Sequence, residues 1–256
     1  MNKKVASITL IILAGLLGLS VWIPSQYVVP VLMYHSVAAQ YDEPLNNVRP
    51  ESFVRQMDFI KRHGYQVIST SELVAGLRAG KKFALNTVVI TFDDGLDNNY
   101  TFAYPVLKER SFSATMFIPS DEVGRAGRVT WLQVKDMAAH GIVIGSHTRT
   151  ETYVPDVESQ ALWEEIAGSK RILETELGRP VDFIAYPVGG FTEKAESLAH
   201  SAGYLAAFTT NRGRSKKNND LFAVRRIRIK DSDRGLVLMA KLSGFYNFFR
   251  SVRCPY

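Results

Sequence analysis

At 256 residues the chain is long enough for one large or two small domains, and its 46% apolar and 22% charged residues describe a globular protein able to bury a core. The single cysteine, Cys254, excludes an intramolecular disulfide and any cysteine metal cluster. The formal charge of +6 is not confined to one tail, and without zinc-finger spacing, a ribonucleoprotein-type aromatic motif or an internal repeat, no nucleic-acid partner is expected.

The N-terminus opens on the basic Met1–Lys4, followed by Val5–Ile23, 19 residues without a charge. At the helical rise this run is about 28 Å long, close to the thickness of a bilayer core. The lysines place the N-terminus inside and the rest of the chain outside. An uncleaved signal-anchor over residues 1–24 is the preferred reading. A signal peptide is the alternative, but no small-x-small site precedes Pro24 and there is no lipobox cysteine. Either way residues 25–256 are exported: held at the cell membrane as a single-pass protein, or secreted or periplasmic after cleavage.

Val28–Val37 then reads as a buried strand with His35 near its end, and Tyr41–Arg49 as a polar loop. A helix starts at Pro50 with Phe53, Met57 and Ile60 on one face and stops at His63-Gly64. Thr70–Gly80 is a short helix capped by Ser71 or Thr70. From residue 87 strands alternate with helices: strand Thr87–Gly95, helix Tyr100–Arg110, strand Ala114–Pro119, helix Thr130–Gly141 and strand Ile142–His147. The helix Ser159–Gly178, strand Val181–Pro187, helix Thr192–Tyr204, strands Leu205–Thr210 and Phe222–Ile229, and a last helix from about Arg234 to Phe249 complete the chain. This alternation predicts parallel strands with helical crossovers. About seven such steps fit one barrel-like α/β domain over residues 25–256. Chemistry in such folds sits at the C-terminal ends of the strands, where Asp93-Asp94, His147 and His35 stand.

Two adjacent carboxylates after an apolar strand are costly unless something neutralises them. One can hold a metal while the other acts as a base on water; an Asp-Asp-Gly turn that caps a helix is the plainer reading. His147 follows the apolar Ile142-Val143-Ile144, and a divalent metal at such a rim wants an imidazole beside carboxylates. His63, His140 and His200 lie at helix ends, where a structural role is expected, which leaves His35 and His147 as the site candidates. Trp131, at the start of a helix, reads equally as a groove residue or a core residue.

Thr91-Phe92-Asp93-Asp94-Gly95, Ser146-His147-Thr148 and Ala185-Tyr186-Pro187-Val188-Gly189 resemble, in order and spacing, the successive motifs of the polysaccharide deacetylases, carbohydrate esterase family four, over roughly residues 85–230. Pro30–His35 resembles the first strand of the exported poly-N-acetylglucosamine deacetylase branch. The resemblance implies an α/β fold, a distorted (β/α)7–8 barrel, and a metal-dependent de-N-acetylase acting on an N-acetylated glycan. It implies Asp93 as general base, Asp94 and His147 as metal ligands, the Val188 N–H facing the oxyanion and His35 as general acid. The metal implied is Zn²⁺, with Mn²⁺, Co²⁺ or Mg²⁺ compatible with a carboxylate-rich set. No Leu-x-His motif supplies a late acid, and no basic residue at 181–185 orients Asp93, so Arg226 or Arg228 is suggested for that task.

The family's third ligand is a histidine four residues after the first, and that position is Glu151. Glu151 as a ligand, reaching the ion from the same helical face as His147, is the preferred reading. A degenerate glycan-binding relative, or a two-ligand site with Glu151 in solvent, are the alternatives. The aromatic C-terminus near Phe245–Arg250 also reads as a terminal helix on the barrel, with a membrane-surface helix as the alternative.

Overall fold

A computed structural model describes residues 25–40, 46–210 and 220–247, with Gly18, Trp22 and Asn218. The expected membrane segment at 5–23, apart from Gly18 and Trp22, the chain beyond residue 247 and residues 41–45 of the polar loop lie outside the described residues. Among the described residues no helix is long and apolar enough to cross a membrane.

The strands of the main sheet are β1 (Val31–Tyr34), β4 (Gln66–Val67), β5 (Thr87–Phe92), β6 (Ala114–Ile118), β7 (Ile142–Ser146), β8 (Phe183–Ala185), β9 (Ala206–Thr209), β10 (Val224–Arg225) and β11 (Ile227–Arg228). The short β2 (Ser36–Val37) and β3 (Asn47–Val48) pair separately. All pairings in the main sheet are parallel, in the order β10-β9-β8-β7-β6-β5-β1-β11. Its two outer strands, β10 and β11, are separated only by Arg226, so they act as one stave that pairs with β9 by its first half and with β1 by its second. The sheet thereby nearly closes into a barrel, as the alternation predicts. The extra strand β4 lies on the first residues of β5, below the point where β6 joins it.

Helices α1 (Pro50–Arg62), α2 (Thr70–Arg78), α3 (Tyr104–Glu109), α4 (Trp131–Ala139), α5 (Ser159–Trp163), α6 (Ser169–Leu177), α7 (Glu193–Ser201) and α8 (Gly235–Leu242) connect or follow the strands. Alternate strand residues face opposite ways. One set, with Leu32, Tyr34, Ile90, Phe92, Met116 and Ile144, packs against Phe53, Met57 and Ile60 of α1 and the other helices. The other set, with Val31, Val89, Phe117, Phe183, Phe208 and Val224, fills the barrel, where Leu73 and Val74 of α2 join it.

Four elements differ from the sequence reading. α2 is capped by Ser69 in a capping box with Glu72, one residue before the expected cap. The helix expected over 159–178 is interrupted by a π turn at Glu164–Gly168, whose wider circuit lets Ile166, Ala167 and Gly168 all face inward. The strand expected over 222–229 is broken by Arg226, which faces the barrel interior. The last helix ends at Leu242, because Gly244 turns the chain in the left-handed region and lies so close to Tyr27 that a Cβ would stand 2.2 Å from the ring.

Gly145 of β7 faces the barrel interior, where an added Cβ would lie 2.5 Å from Phe117 and 3.1 Å from the Phe183 carbonyl. Gly145→Ala is therefore expected to cost about 1–3 kcal/mol by overpacking, measured by urea denaturation. A cost below about 0.5 kcal/mol would show that Phe117 has room to move, against the density usual in cores.

Candidate active site

The inward alternation of each strand continues past its last residue and builds the site. His35 follows β1 in phase with Val31 and Met33, Asp93 follows β5 in phase with Val89 and Thr91, and His147 follows β7 in phase with Gly145. All three are buried at the C-terminal rim, at 9%, 2% and 2% exposure.

Asp93 meets Arg226. The guanidinium Nη1 donates to Asp93 Oδ1 at 2.5 Å and Nη2 to Oδ2 at 2.7 Å, a bidentate pair in which both side chains are almost wholly buried. The Arg226 plane lies 5.3 Å from the Phe117 ring centre inside the barrel. Of the two arginines the sequence suggested, Arg226 therefore touches Asp93. Arg228 is exposed, and its carbonyl accepts from Lys241.

Asp94 would point away from Asp93 if the strand continued. Instead its backbone is left-handed (φ 68°), and its carboxylate comes to 3.4 Å from His147 Nε2. His147 Nδ1 lies 2.8 Å from the Ala185 carbonyl. A carbonyl only accepts, so Nδ1 carries a proton and Nε2 is the nitrogen turned to Asp94. Burial works against charge on both groups. For Asp94 the His147 hydrogen bond and the His147, His35 and Arg128 charges outweigh it and hold the carboxyl at about 2. For His147 the Asp94 hydrogen bond and the surrounding carboxylates outweigh it and raise the imidazole. At His35 burial wins over the attraction of Asp93 and Asp94, and its pKa falls below 6.5.

The donor set fits a divalent cation. An imidazole whose Nδ1–H is fixed by a carbonyl presents its Nε2 lone pair, the usual outer support of a metal-bound histidine, and a carboxylate stands opposite. A cation between them would meet both groups. Among the described residues no three His, Cys, Asp or Glu side chains are grouped tightly enough to form a ready-made cage.

Glu151 reaches this rim, but not along a helix. The expected helical turn is absent: residues 148–150 form a turn, and Thr148 (φ 62°) and Glu151 (φ 62°) are both left-handed. Its carboxylate is ion-paired with Arg128, Nη2 to Oε2 at 2.7 Å. Burial and the Asp94 charge raise its pKa, against the pull of His147 and Arg128.

Val188 lies on the loop after β8, 76% exposed, with φ 56°. A β-branched residue in the left-handed region is strained, and strain of this kind collects at functional sites. Four of the six non-glycine residues with positive φ among those described are Asp94, Thr148, Glu151 and Val188, all on loops that follow β5, β7 and β8.

Two contributors went unseen in the sequence. Arg128 donates through Nη1 to the Asp94 carbonyl as well as pairing with Glu151. Asn99, fully buried in a π turn, donates to the His35 carbonyl at 2.6 Å and fixes that strand end. The three histidines set aside do lie at helix ends. His63 and His140 follow α1 and α4, each with Nδ1 2.8 Å from a carbonyl one turn back, and His200 is in the last turn of α7 against Phe222. Trp131 opens α4 half-buried against the outer core.

Residues 80–207 match the polysaccharide deacetylase family. YxkH of Bacillus subtilis (strain 168), a protein assigned by name to the polysaccharide deacetylases, is 33% identical over 214 residues, covering 82% of this chain and 75% of the relative. A poly-beta-1,6-N-acetyl-D-glucosamine N-deacetylase of Staphylococcus aureus (strain N315) is 23% identical over 214 residues, 78% of this chain and 73% of its own. Among solved structures, the Streptococcus pyogenes deacetylase PplD in complex with acetate superposes with a TM-score of 0.78 at 28% identity, covering 84% of this chain and 97% of that one.

Proposed function

The chain belongs to the polysaccharide deacetylase family and is a deacetylase, and we propose that it removes N-acetyl groups from an extracytoplasmic, poly-N-acetylglucosamine-like glycan with the help of a divalent metal, Zn²⁺ first among Zn²⁺, Mn²⁺, Co²⁺ and Mg²⁺. The observation that carries this reading is Asp93, locked by Arg226 through two hydrogen bonds of 2.5 and 2.7 Å, next to the Asp94–His147 pair. Likeness to a poly-beta-1,6-N-acetyl-D-glucosamine N-deacetylase supports the substrate class. The apolar residues 5–23 support an N-terminal membrane anchor and an extracytoplasmic location.

Asp94 and His147 would hold the metal, with Glu151, now paired with Arg128, as the candidate third donor. A cation bound there supplies Lewis acidity, polarising the acetyl carbonyl and making a water easier to deprotonate. Asp93 takes a proton from the attacking water. Arg226 keeps that carboxylate oriented and charged. The water oxygen bonds to the acetyl carbon, and the Val188 N–H faces the oxygen that gains charge. His35 in its protonated form gives its proton to the amide nitrogen as the C–N bond breaks, releasing acetate and a free amine. The alternative of a glycan-binding relative without catalysis finds no support: Asp93 and Arg226 are paired at the rim, and YxkH, the Staphylococcus aureus protein and PplD are all named as deacetylases.

The test is acetate release by the full-length chain from β-1,6-linked N-acetylglucosamine oligomers. Release is expected with metal, loss after a chelator, and recovery on adding Zn²⁺, Mn²⁺ or Co²⁺. Release that survives chelation would remove the metal from this reading, and no release under any metal would remove the substrate.

The lowered pKa of His35 sets the sign of one pH effect. An acid is active while protonated, so kcat/KM is expected to fall as pH rises through a value below 6.5. In His35→Gln that limb should disappear. A limb above 6.5, or one that persists in the variant, would take His35 out of the donor role.

A further inference from the structure

Arg128 is the one guanidinium ion-paired to a candidate metal-site carboxylate among the described residues. Its backbone is strapped beside the base motif: Leu96 and Arg128 form an antiparallel bridge, Val129 N donates to the Gly95 carbonyl at 2.9 Å, and Asp97 N donates to the Gly127 carbonyl at 3.1 Å. From there the side chain spans the two loops that carry Asp94 and Glu151, donating to the Asp94 carbonyl and pairing with the Glu151 carboxylate at 2.7 Å. The pair is mostly shielded, with side chains 21% and 28% exposed. A carboxylate engaged by a guanidinium has less to offer a cation, and the guanidinium itself repels one.

Resting on the metal-dependent reading above, we propose that Arg128 is a latch that holds Glu151 out of the metal site and so sets the site's affinity. Glu151 has two partners to choose between, Arg128 and the cation. Releasing it from Arg128 gives the Asp94–His147 pair a third donor. A histidine at this position would have no such alternative, since an imidazole does not form a charged pair with arginine. The glutamate and Arg128 together therefore make metal binding adjustable in this chain.

The experiment is isothermal titration of the metal-stripped full-length chain with Zn²⁺ alone, in wild type, Arg128→Gln, Glu151→Gln and the double variant, with Asp94→Asn as the reference for the site. The Arg128→Gln side chain retains a donor for the Asp94 carbonyl and gives up the charge. Arg128→Gln is expected to tighten Zn²⁺ binding by about tenfold or more, and the gain is expected to vanish when Glu151→Gln is added. An unchanged affinity overturns the latch. A gain as large in the Glu151→Gln background also overturns it, because Arg128 would then act as a plain repelling charge. Binding that survives Asp94→Asn means that the metal reading itself is wrong, as does an absence of binding in every form. Should Arg128→Gln fail to fold, Arg128→Lys makes the same comparison. It keeps the charge but loses the fork that grips both partners, and a smaller, Glu151-dependent gain is expected.

Discussion

Asp93→Asn is expected to lower kcat for acetate release by about 10²–10⁴-fold, the usual contribution of a positioned general base. The replacement keeps the shape, and its amide oxygen still accepts one hydrogen bond from Arg226, but it takes no proton from water. The neighbouring Asp94 supplies the contrast. Both aspartates end the same strand, yet Asp93 continues its inward phase and meets Arg226, whereas the left-handed backbone at Asp94 turns that carboxylate to His147. Asp93→Asn should therefore leave Zn²⁺ affinity within about threefold of wild type, and Asp94→Asn should abolish it, since one ligand of so small a set is lost. Stability must be measured alongside, because the amide leaves Arg226 buried without its counter-charge. A loss of about 3 kcal/mol is expected from that source, so kcat is to be read well below the melting transition. An Asp93→Asn enzyme with wild-type kcat would show that another group takes the proton. An enzyme that loses metal together with activity would show that the two carboxylates do not divide the work.

Much of this site can be read from strand phase alone. His35, Asp93 and His147 each stand one residue beyond a strand whose alternate residues are apolar and inward, so the period of two already places them on one rim. That is why the barrel, its chemical end and these three residues are legible in the sequence. What escapes it are the departures from period. Asp94 joins His147 through a left-handed backbone, and an aspartate in that conformation leaves no local pattern to detect. The four-residue spacing of His147 and Glu151 suggests a helical face, but Thr148 and Glu151 are left-handed and the segment is a turn. Arg226 lies in a segment whose alternation is already blurred, with arginines on both faces. Its neighbours Arg225 and Arg228 look the same in one dimension, and only closure of the barrel, bringing β10 to β9 and β11 to β1, singles it out. Arg128 lies in a loop directly after Gly127, where nothing periodic indicates direction. The residues fixed by repeating structure are legible from period, whereas Asp94, Glu151, Val188 and Arg226, fixed by loop conformation or closure, come to notice through the family resemblance, and Arg128 through neither.

Arg226→Met is expected to destabilise the protein by about 3–5 kcal/mol, because it leaves the Asp93 carboxylate buried with no opposite charge. At about 2–4 °C per kcal/mol for a chain of this size, the melting temperature should fall by roughly 6–20 °C. The effect is large because three roles meet in one side chain. Arg226 sits at the seam where the last stave changes partner, its head closes both oxygens of Asp93, and it covers the Phe117 ring in the barrel. Methionine replaces the packing well and the charge not at all. A double-mutant cycle separates these parts. In Arg226→Met with Asp93→Asn both charges are gone, so the double variant should be destabilised by less than the sum of the single changes, with a coupling of about 1–3 kcal/mol. Arg226→Lys retains the charge but presents a single ammonium in place of the fork, and it should fall between wild type and Met in stability. It should recover only part of kcat, since one ammonium does not fix the carboxylate plane. If Arg226→Met melts with wild type and the cycle shows no coupling, the pair does not hold the seam, and orientation of the base must come from the strand end at Thr91–Phe92 itself.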